Sequence, residues 1–216
     1  MTTGRFITFE GGEGGGKSTQ LALLAKALES AGIEVLTTRE PGGTPGAEEI
    51  RNLLVHGTTD RWAPMSEVLL NFAARVDHVD KAIQPALESG TWVLCDRFVD
   101  STLAYQGGGH GLGIERIQGL KTDILGDFQP DLTFILDIPV EEGLARAFGR
   151  NEAEDRYERM DLGFHTRIRE TFLTIAKAEP QRCVVVDAAQ SVDDVQREVC
   201  AAVSHRLGAD LKEAGR

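Results

Sequence analysis

Residues 11–18, Gly-Gly-Glu-Gly-Gly-Gly-Lys-Ser, match the pattern GxxxxGK[ST], in which a glycine-rich loop binds phosphate groups. An apolar segment precedes the loop and an amphipathic segment follows it, so the loop is predicted to join a strand to a helix. Lys17 is predicted to contact the β- and γ-phosphates, and Ser18 to ligate Mg²⁺. A lysine at a helix start opposes the helix dipole unless an anion offsets it, which disfavours a plain glycine turn.

The loop has no cation at its variable positions, 12–15, so charge on a transferred phosphoryl group must be neutralised from elsewhere. The most arginine-rich stretch contains Arg146, Arg150, Arg156, Arg159, Arg167 and Arg169. Acidic residues four positions ahead of several of these arginines are compatible with a solvated helix. However, Arg146 and Arg150 are also four apart and repel without an anion, and Gly149 and Asn151 interrupt the helix. We therefore predict a closing lid at about residues 146–160.

Two further groups of residues could bind a second ligand. Asp96 and Arg97 end a predicted strand and point in different directions, so Asp96 can face Mg²⁺ and Lys17 while Arg97 faces an acceptor phosphate. Arg75 lies near Phe72 on a long predicted helix, where the two could hold a base. The pattern is equally compatible with Phe72 in the core and Arg75 in solvent.

The elements that must position these residues are short apolar runs alternating with helical patterns. The predicted strands are 5–10, 33–38, 91–96, 131–137 and 182–187. Helical spacing is followed by Leu21, Leu24, Ala25 and Leu28, by Val68, Leu69, Phe72, Val76, Val79 and Ile83, and by Val192, Val195, Val199 and Val203. This alternation predicts an α/β fold with a parallel sheet covered on both faces.

Each predicted strand ends at or just before an acidic residue, which places carboxylates at the ligand-binding edge of a parallel sheet. These residues are Glu10, Glu40, Asp96, Asp137 and Asp187. Asp137 and Asp187 are interpreted as helix caps, whereas Asp96 is interpreted as a site residue.

The 216 residues predict one domain at 1–208 and a frayed tail at 209–216. A net charge of −11 argues against a nucleic-acid partner, although converging arginines still allow a small anionic ligand. Three cysteines without CxxC spacing and five histidines without metal-ligand spacing favour a reducing compartment and no zinc site. No signal peptide or membrane span is apparent, so a cytoplasmic location is expected.

Several motifs occur together in this order along the chain. They are residues 11–19, Arg-Glu-Pro-Gly-Gly-Thr at 39–44, Phe-Ala-Ala-Arg at 72–75, Asp-Arg-Phe at 96–98, Ser-Thr-Leu-Ala-Tyr-Gln-Gly-Gly-Gly at 101–109, and 131–137. With them the sequence closely resembles the bacterial thymidylate kinases over nearly its whole length. The resemblance implies a three-layer P-loop kinase fold with five parallel strands, and phosphorylation of dTMP to dTDP by ATP and Mg²⁺, which supplies dTTP synthesis. It also implies a homodimer.

The resemblance assigns residues to each part of the site. ATP and phosphate binding falls to Gly11, Gly12, Glu13, Gly14, Gly15, Gly16, Lys17, Ser18, Thr19, Arg146 and Arg150. Binding of dTMP falls to Glu13, Glu40, Arg51, Phe72, Arg75, Arg97, Thr102, Tyr105 and Gln106. The catalytic set is Lys17, Asp96, Arg97 and Arg156, and the metal set is Ser18, Asp96 and Glu40.

Particular roles also follow from the resemblance. Glu13 would accept a hydrogen bond from the 3′-hydroxyl, Arg75 would donate to a thymine carbonyl, and Tyr105 would crowd the 2′ position of a ribonucleotide. Arg156 best matches the lid arginine. One position departs from the pattern: an aromatic ring usually stacks on thymine one turn before the base-binding arginine, and Asn71 stands there.

The expected reaction needs no general base. A phosphate monoester with a second pKa of about 6 is already ionised near neutral pH, so the site must mainly align two polyanions and offset their repulsion. Another P-loop nucleotide kinase, or a nucleoside kinase with Glu10 or Asp96 as base, remains an alternative. A P-loop ATPase switch acting on a protein partner, or a non-catalytic nucleotide-binding module, is disfavoured.

Overall fold

The computed structural model describes residues 4–148 and 156–211. Five parallel strands form one sheet: β1 Phe6–Glu10, β2 Val35–Arg39, β3 Trp92–Asp96, β4 Leu132–Asp137 and β5 Cys183–Asp187. Their order across the sheet is β2-β3-β1-β4-β5. This confirms the predicted five-stranded parallel sheet and places β1, which leads into the glycine loop, at its centre.

Helices connect the strands. They are α1 Lys17–Ser30, α2 Pro45–Val55, α3 Pro64–His78, α4 Gln84–Glu88, α5 Val99–Thr102, α6 Ile114–Leu125, α7 Val140–Phe148, α8 Leu162–Ala178 and α9 Val192–Leu207. Two π-helical segments, Val79–Ile83 and Leu103–Gly109, follow α3 and α5. Mid-chain π-helical turns are uncommon and frequently occur at functional sites.

Two hydrophobic cores lie on opposite faces of the sheet, because successive strand residues point to opposite sides. Phe6 belongs to the core formed with α3, α6 and α8, whereas Ile7 and Phe9 belong to the core formed with α1 and α9. Almost every residue of β1, β3 and β4 is buried, which explains why these strands lack polar alternation.

The helical patterns of α1 and α9 are largely confirmed by burial. Leu21, Leu24, Ala25 and Leu28 are buried, as are Val195, Val199 and Val203, but Val192 is half exposed. On α3 the pattern predicted too wide an apolar face, since Leu69 is 54% exposed and Val76 is 36% exposed. Polar residues instead occupy much of the buried face of this helix.

Residues just after α9 pack against the protein core. Ala209 is buried in the core beside α9, and Leu211 packs against the same core. Residues 212–216 of the tail predicted at 209–216 lie outside the described residues, as do residues 149–155 of the predicted lid.

Candidate active site

The phosphate loop joins β1 to α1 and is packed against α7. Gly14 has φ 69°, and a Cβ on it would lie 2.0 Å from the carbonyl oxygen of Gly143. Gly143 is equally restricted, because its Cβ would lie 2.5 Å from the carbonyl oxygen of Glu13. Only glycine at both positions permits this backbone contact, which positions the loop against the helix that precedes residues 149–155.

Lys17 and Ser18 begin α1, directly after Gly16 in a left-handed conformation. The ammonium group of Lys17 donates to the carbonyls of Gly12 at 2.7 Å and Gly11 at 3.3 Å. Burial and the nearby charge of Arg97 lower the pKa of Lys17 to about 8. The ammonium group is therefore held over its own loop in a low-dielectric site, where an anion would bind strongly.

The predicted magnesium site is best matched by Ser18 and Asp96. The Ser18 hydroxyl donates to Oδ2 of Asp96 at 2.6 Å, so a hydroxyl and a carboxylate meet at the carboxyl end of β3. Mg²⁺ prefers oxygen ligands and commonly binds through one or two protein groups with water and phosphate oxygens. The described residues include no cluster of three or more His, Cys, Asp or Glu that could hold a metal ion.

Arg97 connects the phosphate loop to the opposite wall of the site. It donates to both carboxylate oxygens of Glu13, at 3.1 and 3.2 Å, and to the Gly11 carbonyl and the Ser101 hydroxyl. Its guanidinium also lies over the ring of Tyr105, whose hydroxyl donates to Glu13. Arg97 has φ 68°, an unfavourable conformation for a residue other than glycine, and such strain is concentrated at functional sites.

The charges around Glu13 keep it ionised. Burial opposes ionisation, but the charges of Arg97 and Lys17 lower the pKa of Glu13 from 4.5 to about 2. A carboxylate next to the phosphate loop can accept a hydrogen bond from a ligand hydroxyl, as the resemblance implies.

Arg75 lies buried at the other end of the site. Its Nε donates to Glu40 at 2.6 Å, and its Nη2 donates to the Phe98 carbonyl and the Thr102 hydroxyl. The other oxygen of Glu40 contacts Nδ1 of His78 at 3.0 Å. Both oxygens of Glu40 are thus engaged away from Ser18, and the carboxylate orients Arg75.

One cavity of about 350 Å³ joins these groups. Most of the predicted site residues line it: Glu13, Gly14, Gly16, Lys17, Ser18, Glu40, Arg51, Arg75, Asp96, Arg97, Thr102, Tyr105 and Gln106. Arg51 is held there by donating to the carbonyl of Pro41 at 2.9 Å. The cavity is large enough for a small-molecule ligand. Thr19 lies on the exposed side of α1 and is not among the lining residues.

Other predicted residues lie elsewhere. Phe72 is buried in the core, while Asn71 lines the cavity, so Phe72 does not take the place of the stacking ring. Arg146 donates to Glu142 and to the Ala188 carbonyl, outside the cavity lining. Arg156 is 1% exposed and binds Glu67, so in this structure it does not face the phosphate loop. Arg150 lies outside the described residues.

Sequence reasoning missed two buried polar residues, Glu67 and His78. Both are fully buried on α3. Glu67, Asn71 and Arg75 are spaced by four residues, with His78 three further on, so all lie along one face. Polar residues at this spacing within an otherwise apolar helix could have indicated a polar buried face.

Glu10, at the end of β1, supports the wall that carries Arg97. Its carboxylate accepts from the backbone amides of Phe98 and Ser101 and from the Ser101 hydroxyl. Burial, and then the charge of Asp100, raise the pKa of Glu10 from 4.5 to about 7. The folded protein therefore retains a proton that the unfolded chain releases above pH 4.5.

We expect this proton to make stability depend on pH. The stabilisation is complete below pH 4.5 and is lost as pH rises through about 7, amounting to about 3 kcal/mol. Glu10→Gln removes the titrating group, so its free energy of unfolding, measured by denaturant titration at pH 5 to 8, should rise relative to the wild type as pH increases. A constant difference between the two proteins over this range would contradict the assignment.

The fold and the site together define a class of protein. A central parallel strand, a glycine-rich phosphate loop and a cavity with a second, arginine-lined end are the arrangement of a P-loop nucleotide kinase. The family model "Thymidylate kinase" matches residues 9–199. The chain belongs to the thymidylate kinase family.

Relatives match along nearly the full chain. A thymidylate kinase of Caulobacter vibrioides is 53% identical, over 96% of this chain and 100% of the relative. One from Afipia carboxidovorans is 49% identical, over 99% of this chain and 94% of the relative. The crystal structure of thymidylate kinase from Ehrlichia chaffeensis has a TM-score of 0.77 at 38% identity, and the match covers 94% of this chain and 99% of that one.

Proposed function

We propose that this protein transfers the γ-phosphoryl group of ATP to dTMP, giving dTDP and ADP. The observation that carries the proposal is a continuous cavity that extends from Lys17 in the phosphate loop to Arg97 and on to Arg75. These positions suit a donor phosphate, an acceptor phosphate and a base, in that order. Family membership and the thymidylate kinase relatives support the same activity.

The base end of the cavity contains an unused donor. Nη1 of Arg75 is buried and has no hydrogen-bond partner among the described residues. A buried donor without a partner is costly, so a ligand acceptor is expected there. A thymine carbonyl is such an acceptor, and Thr102 and Gln106 line the same cavity as Arg75.

At the phosphate end, the reaction requires alignment of two anions and no proton abstraction from a hydroxyl. Lys17 would bind the β- and γ-phosphates, and Arg97 would bind the phosphate of dTMP. Mg²⁺ would be held by Ser18 and Asp96, and would neutralise charge on the ATP phosphates. Residues of the lid, about 146–160, would add cations and exclude water on closure.

The proposal extends to assembly and location. A homodimer is supported by exposed apolar side chains on α2 and α3, namely Leu53, Leu69 and Val76. No helix of the described residues is long and apolar enough to cross a membrane. We propose a cytoplasmic enzyme without a nucleic-acid partner, which the three free cysteines and the net charge of −11 support.

The test is ADP release from ATP and Mg²⁺ with dTMP, dUMP, dCMP, dGMP, AMP or UMP supplied singly, and with no acceptor. We expect strong release with dTMP, less with dUMP and little with the others. Discrimination against dUMP is expected to be modest because one methyl group in a pocket contributes only about 1–3 kcal/mol. Equal release without an acceptor would favour an ATPase instead, and release that ignores dTMP would favour another nucleotide kinase.

Tyr105 is expected to exclude ribonucleotides. The guanidinium of Arg97 lies over its ring, and its hydroxyl donates to Glu13. The ring is therefore held rigidly between the residues that are expected to bind the phosphate and the 3′-hydroxyl of dTMP. Tyr105→Ala should therefore lower the ratio of kcat/KM for dTMP to kcat/KM for ribothymidine monophosphate by about 10-fold or more. Tyr105→Phe retains the ring and is the matched control, which should keep most of the discrimination. An unchanged ratio in the alanine variant would contradict this role.

A further inference from the structure

Glu67 on α3 is a fully buried carboxylate that does not line the cavity, yet it contacts two side chains that do. Its Oε2 accepts from Nε2 of Gln106 at 3.0 Å and from the hydroxyl of Tyr157 at 3.1 Å. Its Oε1 accepts from Arg156. Glu67 is therefore placed behind the cavity wall at the base end.

Arg156 explains how a carboxylate is kept at this depth. Its guanidinium also donates to the carbonyls of Leu54, Thr58 and Thr59, so these backbone contacts fix the position of Arg156 beside Glu67. Burial opposes ionisation of Glu67, but the nearby His110 ring, with Nε2 at 3.4 Å, and hydrogen bonds from Arg156 and Gln106 hold the pKa of Glu67 below its ordinary value. Glu67 is thus an anion near neutral pH, and an ionised carboxylate only accepts hydrogen bonds.

The charge of Glu67 determines the orientation of the Gln106 amide. An amide presents NH₂ on one side and a carbonyl oxygen on the other, and only the NH₂ can face a carboxylate without repulsion. The NH₂ also approaches the Tyr157 hydroxyl at 3.5 Å. The carbonyl oxygen Oε1 therefore lies on the side of the amide away from Glu67. Because Gln106 lines the cavity, Oε1 can accept a hydrogen bond from a ligand.

We propose that Glu67 is a positioning residue that fixes the Gln106 amide with Oε1 toward the base, so that the site requires an N–H at base position 3. This inference rests on the proposed function. Thymine presents an acceptor at position 4, for Nη1 of Arg75, and a donor at position 3, for Gln106. Cytosine presents the reverse pattern, so both contacts are mismatched and dCMP is rejected.

The test compares Glu67→Gln with Gln106→Met, using KM and kcat for dTMP and the kcat/KM ratio of dTMP over dCMP. A neutral amide at position 67 allows the Gln106 amide to rotate, which removes one of the two mismatches with cytosine. Each variant should raise KM for dTMP about 10-fold and lower the ratio by a similar factor, with kcat changed much less. The double variant should resemble Gln106→Met alone, because Glu67 acts through Gln106.

Asp100→Asn is the matched control, since Asp100 is another buried carboxylate that binds an arginine, Arg182, outside the cavity lining. It should leave the dTMP-to-dCMP ratio unchanged even if stability falls. Gln106→Met leaves the pair of Glu67 with Arg156 intact, so it reports even where Glu67→Gln does not fold. A wild-type dTMP-to-dCMP ratio in Gln106→Met would overturn the inference. It would also be overturned if Glu67→Gln lowered this ratio by the same factor in the wild type and in the Gln106→Met variant. Failure of the wild type to phosphorylate dTMP would instead overturn the proposed function.

Discussion

Lys17→Ala is expected to reduce kcat by about 10²–10³-fold while the protein remains folded. Removing a preorganised group that stabilises the charge developing in the transition state typically has an effect of this size. Lys17 is buried, and its ammonium group lies 2.7 Å from the Gly12 carbonyl, so its charge is directed to the phosphate loop. The measurement is steady-state ADP release with saturating ATP, Mg²⁺ and dTMP, accompanied by thermal unfolding.

Folding is expected to survive because burial of Lys17 is unfavourable to its charged form, as the pKa of about 8 indicates. Lys26→Ala provides the matched control, since Lys26 is exposed on the same helix. It should retain wild-type turnover. Near-normal turnover in Lys17→Ala would exclude a phosphate-binding role for this side chain.

Arg97→Ala is expected to lower kcat/KM for dTMP by a comparable factor, about 10²–10³-fold, mainly by loss of the acceptor-phosphate site. The guanidinium makes contacts in several directions at once, to Glu13, Gly11 and Ser101. Lysine supplies a point charge without this planar set of donors, so Arg97→Lys should recover only part of the activity. The measurement is the initial rate over a range of dTMP concentrations at saturating ATP.

Arg5→Ala is the matched control for loss of an arginine ion pair, because Arg5 pairs with Asp131 in a partly exposed position. It should have little effect on kcat/KM. ATP affinity gives a second comparison: Arg97→Ala should weaken dTMP binding far more than ATP binding. Equal weakening of both ligands would indicate that Arg97 maintains the loop and does not bind the acceptor.

The sequence was sufficient for the fold and the family. All five strands were predicted within two residues of their observed ends, because strands buried on both faces are continuous apolar runs. The phosphate loop was equally predictable, since its glycines, Lys17 and Ser18 are adjacent in the chain and their function depends on local backbone conformation. The family resemblance, carried by several spaced motifs, was confirmed by the comparisons.

Only the tertiary structure decided which polar groups face each other across the cavity. Glu40 is 35 residues from Arg75, and Gln106 is 39 residues from Glu67, so no local pattern could pair them. The sequence also could not show which of two adjacent residues, Asn71 or Phe72, faces the cavity and which faces the core. That choice depends on how α3 packs on the sheet. Motifs specify chemistry through neighbouring residues, whereas the orientation of a buried amide or guanidinium depends on distant charges that only packing brings together.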